Sequence, residues 1–247
     1  MDLIQRGSQT AKDGFKNEKD IANKFNNWEK DEDAKSWLKI MGYNLTEIKY
    51  VEAIIISGYK TDVQVQVTIK LKKALDVENL QVKFVSNTKG FNQIDKRWID
   101  KYVEMWSIPD IVTKILKKYT GELKPTIKNP KDPRRTFINE FNKANQNILI
   151  NWLEKHKTLI INDIIKGRGK FAAEWMLVAQ MVEKNARWVL KPINIVANHY
   201  GNGKVIITKR GSIKIGNITM QRKGGDGGRE TAKMLQFKIN PAELFEV

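Results

Sequence analysis

Cysteine is absent from the 247 residues, and histidine occurs only at His156 and His199. The first absence excludes disulfides, thiolate zinc sites and a cysteine nucleophile. The second leaves little for chemistry that needs a histidine pair, and the two histidines, in unrelated contexts, read as structural or surface residues. No apolar run approaches the roughly 20 residues of a membrane span. Met1-Asp2-Leu3-Ile4-Gln5-Arg6-Gly7 has no apolar signal core, so a soluble cytoplasmic protein is expected. Carboxylates, amides and lysines are left to carry any catalysis.

Acidic residues are also short: 28 Asp+Glu stand against 44 Lys+Arg, a net +16. The excess is uneven, since residues 1–123 carry 21 basic and 18 acidic side chains while residues 124–247 carry 23 and 10. With 41% hydrophobic residues the chain can bury a core, so charge of this size points to a polyanionic partner rather than to disorder. We therefore expect a nearly neutral catalytic half, 1–123, and a basic half, 124–247, that holds the polyanion, both within one globular unit.

Periodicity predicts an opening helix from Thr10 to Asn27, with Phe15, Ile21, Ala22 and Phe25 inward and Glu18 on the same stripe. A second helix, Asp31 to Met41, turns Trp37 and Leu38 inward. Thr46 reads as the N-cap of a helix carrying Ile48, Val51 and Ile55, although Ile54-Ile55-Ile56 could equally begin a strand; helix is favoured. Period two then takes over. Val63, Val65, Val67 and Ile69 alternate with Gln64, Gln66, Thr68 and Lys70. After a connection through Lys72, Lys73 and Asp76, Leu80, Val82 and Phe84 alternate with Gln81, Lys83 and Val85, which predicts a hairpin.

A polar loop to Phe91 leads to an expected helix capped by Asn92, with Ile94, Trp98, Tyr102 and Met105 inward. Another helix starts near Pro109 and stops at Gly121. Pro125, Pro130 and Pro133 mark a boundary or long connection. Beyond it the pattern predicts a helix from Thr136 to Lys155 with Phe137, Phe141, Ile148 and Trp152 inward. Then come the basic turn Lys166-Gly167-Arg168-Gly169-Lys170 and β-rich runs Trp175–Ala179, Trp188–Ala197, Lys204–Thr208, Ile213–Met220 and Met234–Ile239.

Asp62 opens the first strand of the hairpin, and strand alternation sets Gln81 and Lys83 on one face of the second. A carboxylate, then about twenty residues on an oxygen ligand, one apolar residue and a lysine, is the pattern of the metal-dependent PD-(D/E)XK nucleases. A carboxylate binds a hard cation, a second side-chain oxygen helps complete the shell, and an ammonium can hold the attacking water and offset phosphate charge. Solvated residues on an exposed strand face would show the same spacing. Phe91, after Gly90 in a polar loop, can wedge between bases with Gln93, Lys96 and Arg97 beside it, or staple onto the following helix. In Gln221-Arg222-Lys223-Gly224-Gly225-Asp226-Gly227-Gly228-Arg229, Arg and Lys are donors suited to guanine and Asp an acceptor suited to cytosine, while the glycines let backbone approach DNA. The Lys166–Lys170 turn lacks the Walker spacing and reads as backbone contact or plain loop.

The segments Lys83-Phe84-Val85-Ser86, Gly90-Phe91-Asn92-Gln93-Ile94-Asp95-Lys96-Arg97-Trp98, Gln221–Asp226 and Leu235-Gln236-Phe237-Lys238 resemble type II restriction endonucleases of the MspI and HinP type, above all the HinP-type group, along nearly the whole chain. That resemblance implies an α/β fold: a PD-(D/E)XK core with a mixed central β-sheet flanked by helices, and a β-rich DNA-recognition half. It implies Mg2+-dependent hydrolysis of double-stranded DNA at GCGC after the first G, leaving 5′-phosphates. A cognate methyltransferase would protect the same site, and the palindrome admits a homodimer. By the same resemblance Asp62, Gln81 and Lys83 are catalytic, with Asp62, Gln81 and Glu18 toward the metal. Phe91, Gln93, Lys96, Arg97, Gln221, Arg222, Lys223, Asp226 and Gln236 would face DNA. An amide at Gln81 suits the HinP-type group while departing from the wider superfamily's Asp or Glu, and Thr61 stands where that superfamily has Pro. Glu52 is a weaker candidate than Glu18. The competing class is a non-catalytic basic DNA- or RNA-binding protein in which the Asp-Gln-Lys set is incidental.

Overall fold

Two five-stranded sheets organise the chain, one in each of two compact units. The computed structural model describes residues 3–56, 64–71, 75–87, 90–182, 185–225 and 228–247. One unit comprises residues 5–92, 165–196 and 240–247; the other comprises 1–4, 93–164 and 197–239. These units interleave along the chain, so compactness divides it differently from a cut at residue 123. The charge asymmetry survives the change of division: the first unit has 21 basic and 16 acidic residues, the second 23 and 12.

In the first unit α1 (Leu3–Asn26) and α2 (Glu32–Ile40) precede β1 (Ile48–Ile56), β2 (Gln64–Leu71) and β3 (Leu75–Val85). The sheet order is β1-β2-β3-β5-β6, with β5 (Trp175–Val182) parallel to β3 and every other pair antiparallel. Asp31 caps α2 by accepting from the Ala34 amide at 2.9 Å. Ile21, Ala22 and Phe25 of α1 and Trp37 and Leu38 of α2 pack with Leu80 and Val82 of β3. Phe25 lies 5.2 Å from Trp37, which meets Trp188 of β6 (Asn185–Pro192) edge-on at 5.3 Å. Phe15, expected in this core, is 56% exposed, so among the described side chains the buried stripe begins at Glu18.

The expected helix after Thr46 is instead the edge strand β1. Asn44, not Thr46, makes the cap, and what it caps is only a 3-10 turn, Leu45–Glu47. Ile48 and Val51 are three apart and look helical. A register shift between Ile48 and Tyr50 lets both reach the core of a strand. The hairpin stands as expected: β2 and β3 pair antiparallel with Gln64 opposite Gln81, and the strand already includes Asp76.

The second unit holds β4 (Asn92–Arg97, continuous with the first unit at Asn92), α3 (Ile99–Trp106), α4 (Asp110–Thr120), α5 (Lys143–Lys155) and α6 (Lys157–Ile165). The helix α7 (Ile193–Gly201) enters it, followed by β7 (Val205–Ile207), β8 (Ile213–Ile215), β9 (Ile218–Arg222) and β10 (Leu235–Ile239). Its sheet order is β4-β10-β9-β8-β7. Tyr102 and Trp106 stack at 4.7 Å and both meet Phe237 edge-on.

Four expectations shift here. Residues 92–97 form a strand, because the Asn92 side chain donates to the Phe84 carbonyl (2.8 Å) rather than capping a helix, which starts only at Ile99. The helix expected over Thr136–Lys155 is a 3-10 turn followed by α5. Asn142 caps α5 and sets a new phase, so Gln146, Leu149 and Leu153 are buried, with Ile148 and Trp152 only partly so. The β-rich run from Trp188 ends at Pro192, where α7 takes over. The run Ile213–Met220 is two strands joined by Gly216-Asn217. Gly216 has φ +58, and a Cβ there would stand 2.6 Å from the Tyr200 carbonyl oxygen, so the hairpin requires glycine.

Candidate functional site

Along β3 the odd-numbered side chains form a buried polar row. Asn79, Gln81 and Lys83 are 7%, 2% and 4% exposed, although they lie on the face opposite Leu80 and Val82. Both faces of this inner strand are covered, which excludes the solvated-face reading of Gln81 and Lys83. In the parallel register Gln81 lies beside Met176 of β5 and Lys83 beside Val178, so apolar neighbours desolvate the pair.

Asn79, which pattern reading passed over, is held firmly. Its amide donates to Glu174 Oε2 (2.9 Å), and its Nδ2 donates to the Lys170 carbonyl (3.0 Å). The Lys166–Lys170 turn thus contributes a backbone acceptor to β3 in the way a plain loop would. The signal for Asn79 was its parity with Gln81. On the other face of the strand Glu78 accepts from Tyr43 Oη (2.6 Å) and Trp175 Nε1 (2.7 Å). Burial raises the Glu78 carboxyl above the usual carboxylate range, against these two hydrogen bonds, with help from the charges of Glu174 and Asp76.

The Oε1 of Gln81 is buried and has no hydrogen-bond partner among the described residues. A buried carbonyl oxygen without a donor costs about 1–3 kcal/mol. Such an oxygen is also a hard neutral ligand of the type that Mg2+ and Ca2+ accept. The orphaned oxygen, two residues from a buried lysine, therefore fits a divalent cation. Glu18 is buried on α1 at 7% exposure, one turn before Ile21 and Ala22. Glu52 is exposed on β1. Asp62 lies outside the described residues, as does Asp226. Among the described residues no group of three His, Asp or Glu side chains is arranged to hold a metal ion.

The loop after β3 is tied back to the sheet: Gln180 of β5 donates from Nε2 to the Asn87 carbonyl (3.0 Å) and accepts at Oε1 from Arg187 (2.6 Å). Phe91, at the end of this loop, is 55% exposed. A strand rather than a helix follows it, so the staple reading fails.

The residues expected to face DNA in the second unit are spread over several faces. On β4, Gln93, Asp95 and Arg97 share one side and Lys96 takes the other. Arg97 is held by the buried Asp95, at 3.1 and 3.2 Å, and Asp95 also accepts from Tyr102 Oη at 2.6 Å. On the β9–β10 ribbon Gln221 stands opposite Gln236 and Thr219 opposite Lys238, which makes a polar face. Burial lowers the Lys238 ammonium pKa. Arg222 pairs with Leu235 on the other face, in line with the buried Met220 and Ile218. Lys223 continues from the ribbon, its amide donating to the Met234 carbonyl. Gly224 and Gly225 have φ +63 and +61, yet a Cβ at either would meet no protein atom, so backbone conformation rather than crowding calls for glycine. Both histidines are structural: His156 stacks on Trp152 at 4.5 Å, and His199 packs against Tyr200.

The family model of the R.HinP1I restriction endonuclease matches residues 41–245, most of the chain and all of the strands above. The chain belongs to that family. It is a type II site-specific endonuclease, which sets aside the non-catalytic binding protein. As an R.HinP1I-family fold it is similar to restriction endonuclease MspI, whose crystal structure is in complex with its cognate DNA. The TM-score is 0.65 at 17% identity, over 96% of this chain and 93% of that one. No match is found among curated protein sequences.

Proposed function

We propose that this endonuclease hydrolyses double-stranded DNA at GCGC, after the first G, with Mg2+, through a PD-(D/E)XK-type site made of Asp62, Gln81 and Lys83. The observation that carries the reading is the burial of Gln81 and Lys83 two residues apart on one face of β3, with the Gln81 oxygen orphaned. Asp62 precedes by two residues the strand position, Gln64, that pairs with Gln81. Asp62 and Gln81 would hold the cation, with Glu18 as a further carboxylate. A bound divalent ion would lower the pKa of its water and neutralise charge on the phosphoryl oxygens.

The lysine works from a desolvated position, where its charge interacts with a phosphate far more strongly than in water. It orients the attacking water and stabilises the charge that grows on the scissile phosphate. The neutral amide at position 81 contributes an oxygen without a charge, so the cation leans on Asp62. Phe91, Gln93, Lys96, Arg97, Gln221, Lys223, Asp226 and Gln236 are proposed contacts to the duplex, with Phe91 as the wedge. A methyltransferase modifying GCGC would be the functional partner in the cytoplasm, and a two-fold dimer would match the palindrome. The test is a plasmid digest with Mg2+ followed by sequencing of the fragment ends. Breaks after the first G of GCGC, abolished by EDTA, support the reading. Discrete breaks at another sequence would overturn the specificity, and no breaks in Mg2+ would overturn the cofactor.

A further inference from the structure

A second charged site lies in the unit that carries β4 and β7–β10. Asp132-Pro133-Arg134-Arg135 forms a tight turn, with Asp in the first position and Pro in the second. The Asp132 carboxylate accepts from the Arg134 amide at 3.0 Å. It also holds the Arg134 guanidinium at two points, Nε at 2.9 Å and Nη2 at 3.0 Å. Arg135 Nε stands 3.5 Å from the same carboxylate, and its guanidinium lies 4.1 Å over the Phe137 ring and 5.8 Å from that of Tyr119. The turn is fixed to the end of α4: the Thr136 amide donates to the Lys118 carbonyl at 2.9 Å. Gly121, with φ +88, leaves room for the Arg134 carbonyl, which a Cβ would approach to 2.5 Å.

The end of β9, which carries Arg222, is set against α4 beside this turn. Tyr119 Oη donates to the Met220 carbonyl at 3.3 Å, which sets the end of β9 against α4. Arg222 Nε is buried and has no hydrogen-bond partner among the described residues. Burial, and then the positive charges of Arg135 and Arg134, lower the Arg222 pKa, with Asp132 as the opposing carboxylate. Asp132 spends both oxygens on Arg134, while Arg135 Nε, 3.5 Å away, and Arg222 Nε are buried without a hydrogen-bond partner among the described residues, so one carboxylate faces three guanidiniums. Fixing like charges this way costs stability unless an anion offsets them, and a guanidinium has five N–H groups to offer one.

We propose that Arg134, Arg135 and Arg222 form a phosphate-binding site for one phosphodiester of the duplex, preorganised by Asp132 and Tyr119. This deepens the DNA-cleavage reading and rests on it. It also assigns Arg222 a different task from its neighbours. Arg222 lies on the opposite face of the ribbon from Gln221 and Gln236, so it positions the backbone and leaves base edges to the amide pair.

The experiment measures binding in EDTA to two labelled duplexes, one containing GCGC and one with that sequence scrambled, across about 50 to 200 mM salt. Wild-type affinity should fall linearly on a log–log plot. Arg135→Ala and Arg222→Ala should each weaken both duplexes by the same factor and reduce the slope by about 0.9. Arg222→Lys should keep the slope. Gly121→Ala, which leaves every charge in place but displaces the turn, should reproduce the loss. Circular dichroism should show each variant folded. If both alanine variants keep the wild-type slope, or if Arg222→Ala weakens the GCGC duplex alone, the phosphate site is wrong while the nuclease reading stands. A wild-type protein that binds neither duplex in a salt-dependent way would overturn both.

Discussion

The two sheets expose their polar residues to different degrees. In the β1-β2-β3-β5-β6 sheet the polar row Asn79, Gln81 and Lys83 is buried on an inner strand, because both faces of β3 are covered. In the β4-β10-β9-β8-β7 sheet the ribbon has one apolar face, with Met220 and Phe237, and one polar face, where Gln236 is buried on the inner strand β10 while Gln221 and Lys238 are part-exposed. Burial intensifies a charge, which suits chemistry on a phosphodiester. A ribbon face carrying several donors suits a surface that must meet a long polyanion. On the proposed reading cutting and holding are built into different sheets, and single substitutions should separate them.

The largest separation is expected at Lys83. Lys83→Ala should lower cleavage by at least about a hundredfold while duplex binding in EDTA stays near wild type; single-turnover digestion beside a binding titration checks it. Next comes Gln81. Gln81→Leu fills the site without an oxygen, so cleavage should fall and the metal concentration for half-maximal rate should rise. Gln81→Glu, which adds a charge, should shift that concentration down. A metal titration of both variants reads the opposite directions.

Outside the buried row the expected losses are of stability or binding. Asp95→Ala leaves the buried Tyr102 hydroxyl and the part-exposed Arg97 guanidinium without their shared acceptor, and should cost about 1–3 kcal/mol in denaturant unfolding. Phe91→Ala removes an exposed ring, so stability should move by no more than about 0.5 kcal/mol. Duplex binding should nonetheless weaken; unchanged binding and cleavage would remove Phe91 from the DNA surface.

The smallest effects are on pH dependence, and they have opposite signs in the two units. Asp132 is held below the usual carboxylate range by its hydrogen bonds with Arg134, so its stabilisation is present above that range and lost as pH falls through it. Glu78 is raised by burial, so its contribution is present at acid pH and lost as pH rises through its folded value. Between about pH 2 and 5 the Tm of Asp132→Asn relative to wild type should drop as pH rises, whereas between about pH 4 and 7 that of Glu78→Gln should climb. Parallel trends would contradict the assignment.

The β2–β3 hairpin and the Gln81–Lys83 pair were legible because alternation is a local property, and a strand carries its own parity. Their burial was not, since it depends on β5, which joins β3 from about ninety residues away. β1 was hidden by its bulge, which makes Ile48 and Val51 mimic a helix. β4 was hidden because Asn92 looks like a cap until Phe84 is placed beside it. The turn at Asp132 could be read from Asp-Pro and the charges beside it could be counted. What sequence could not show is that β9 brings Arg222 to them, or that alternation sends Gln221 the other way.

The claim that the buried pair cuts while the rest of the molecule holds is tested most directly by Lys83→Ala in a single assay. Wild type and variant are mixed with a GCGC duplex, bound fraction is measured in EDTA, and Mg2+ is then added to measure strand scission. The account predicts equal binding, rapid scission by wild type and almost none by the variant. Undiminished scission by a folded Lys83→Ala protein would contradict it.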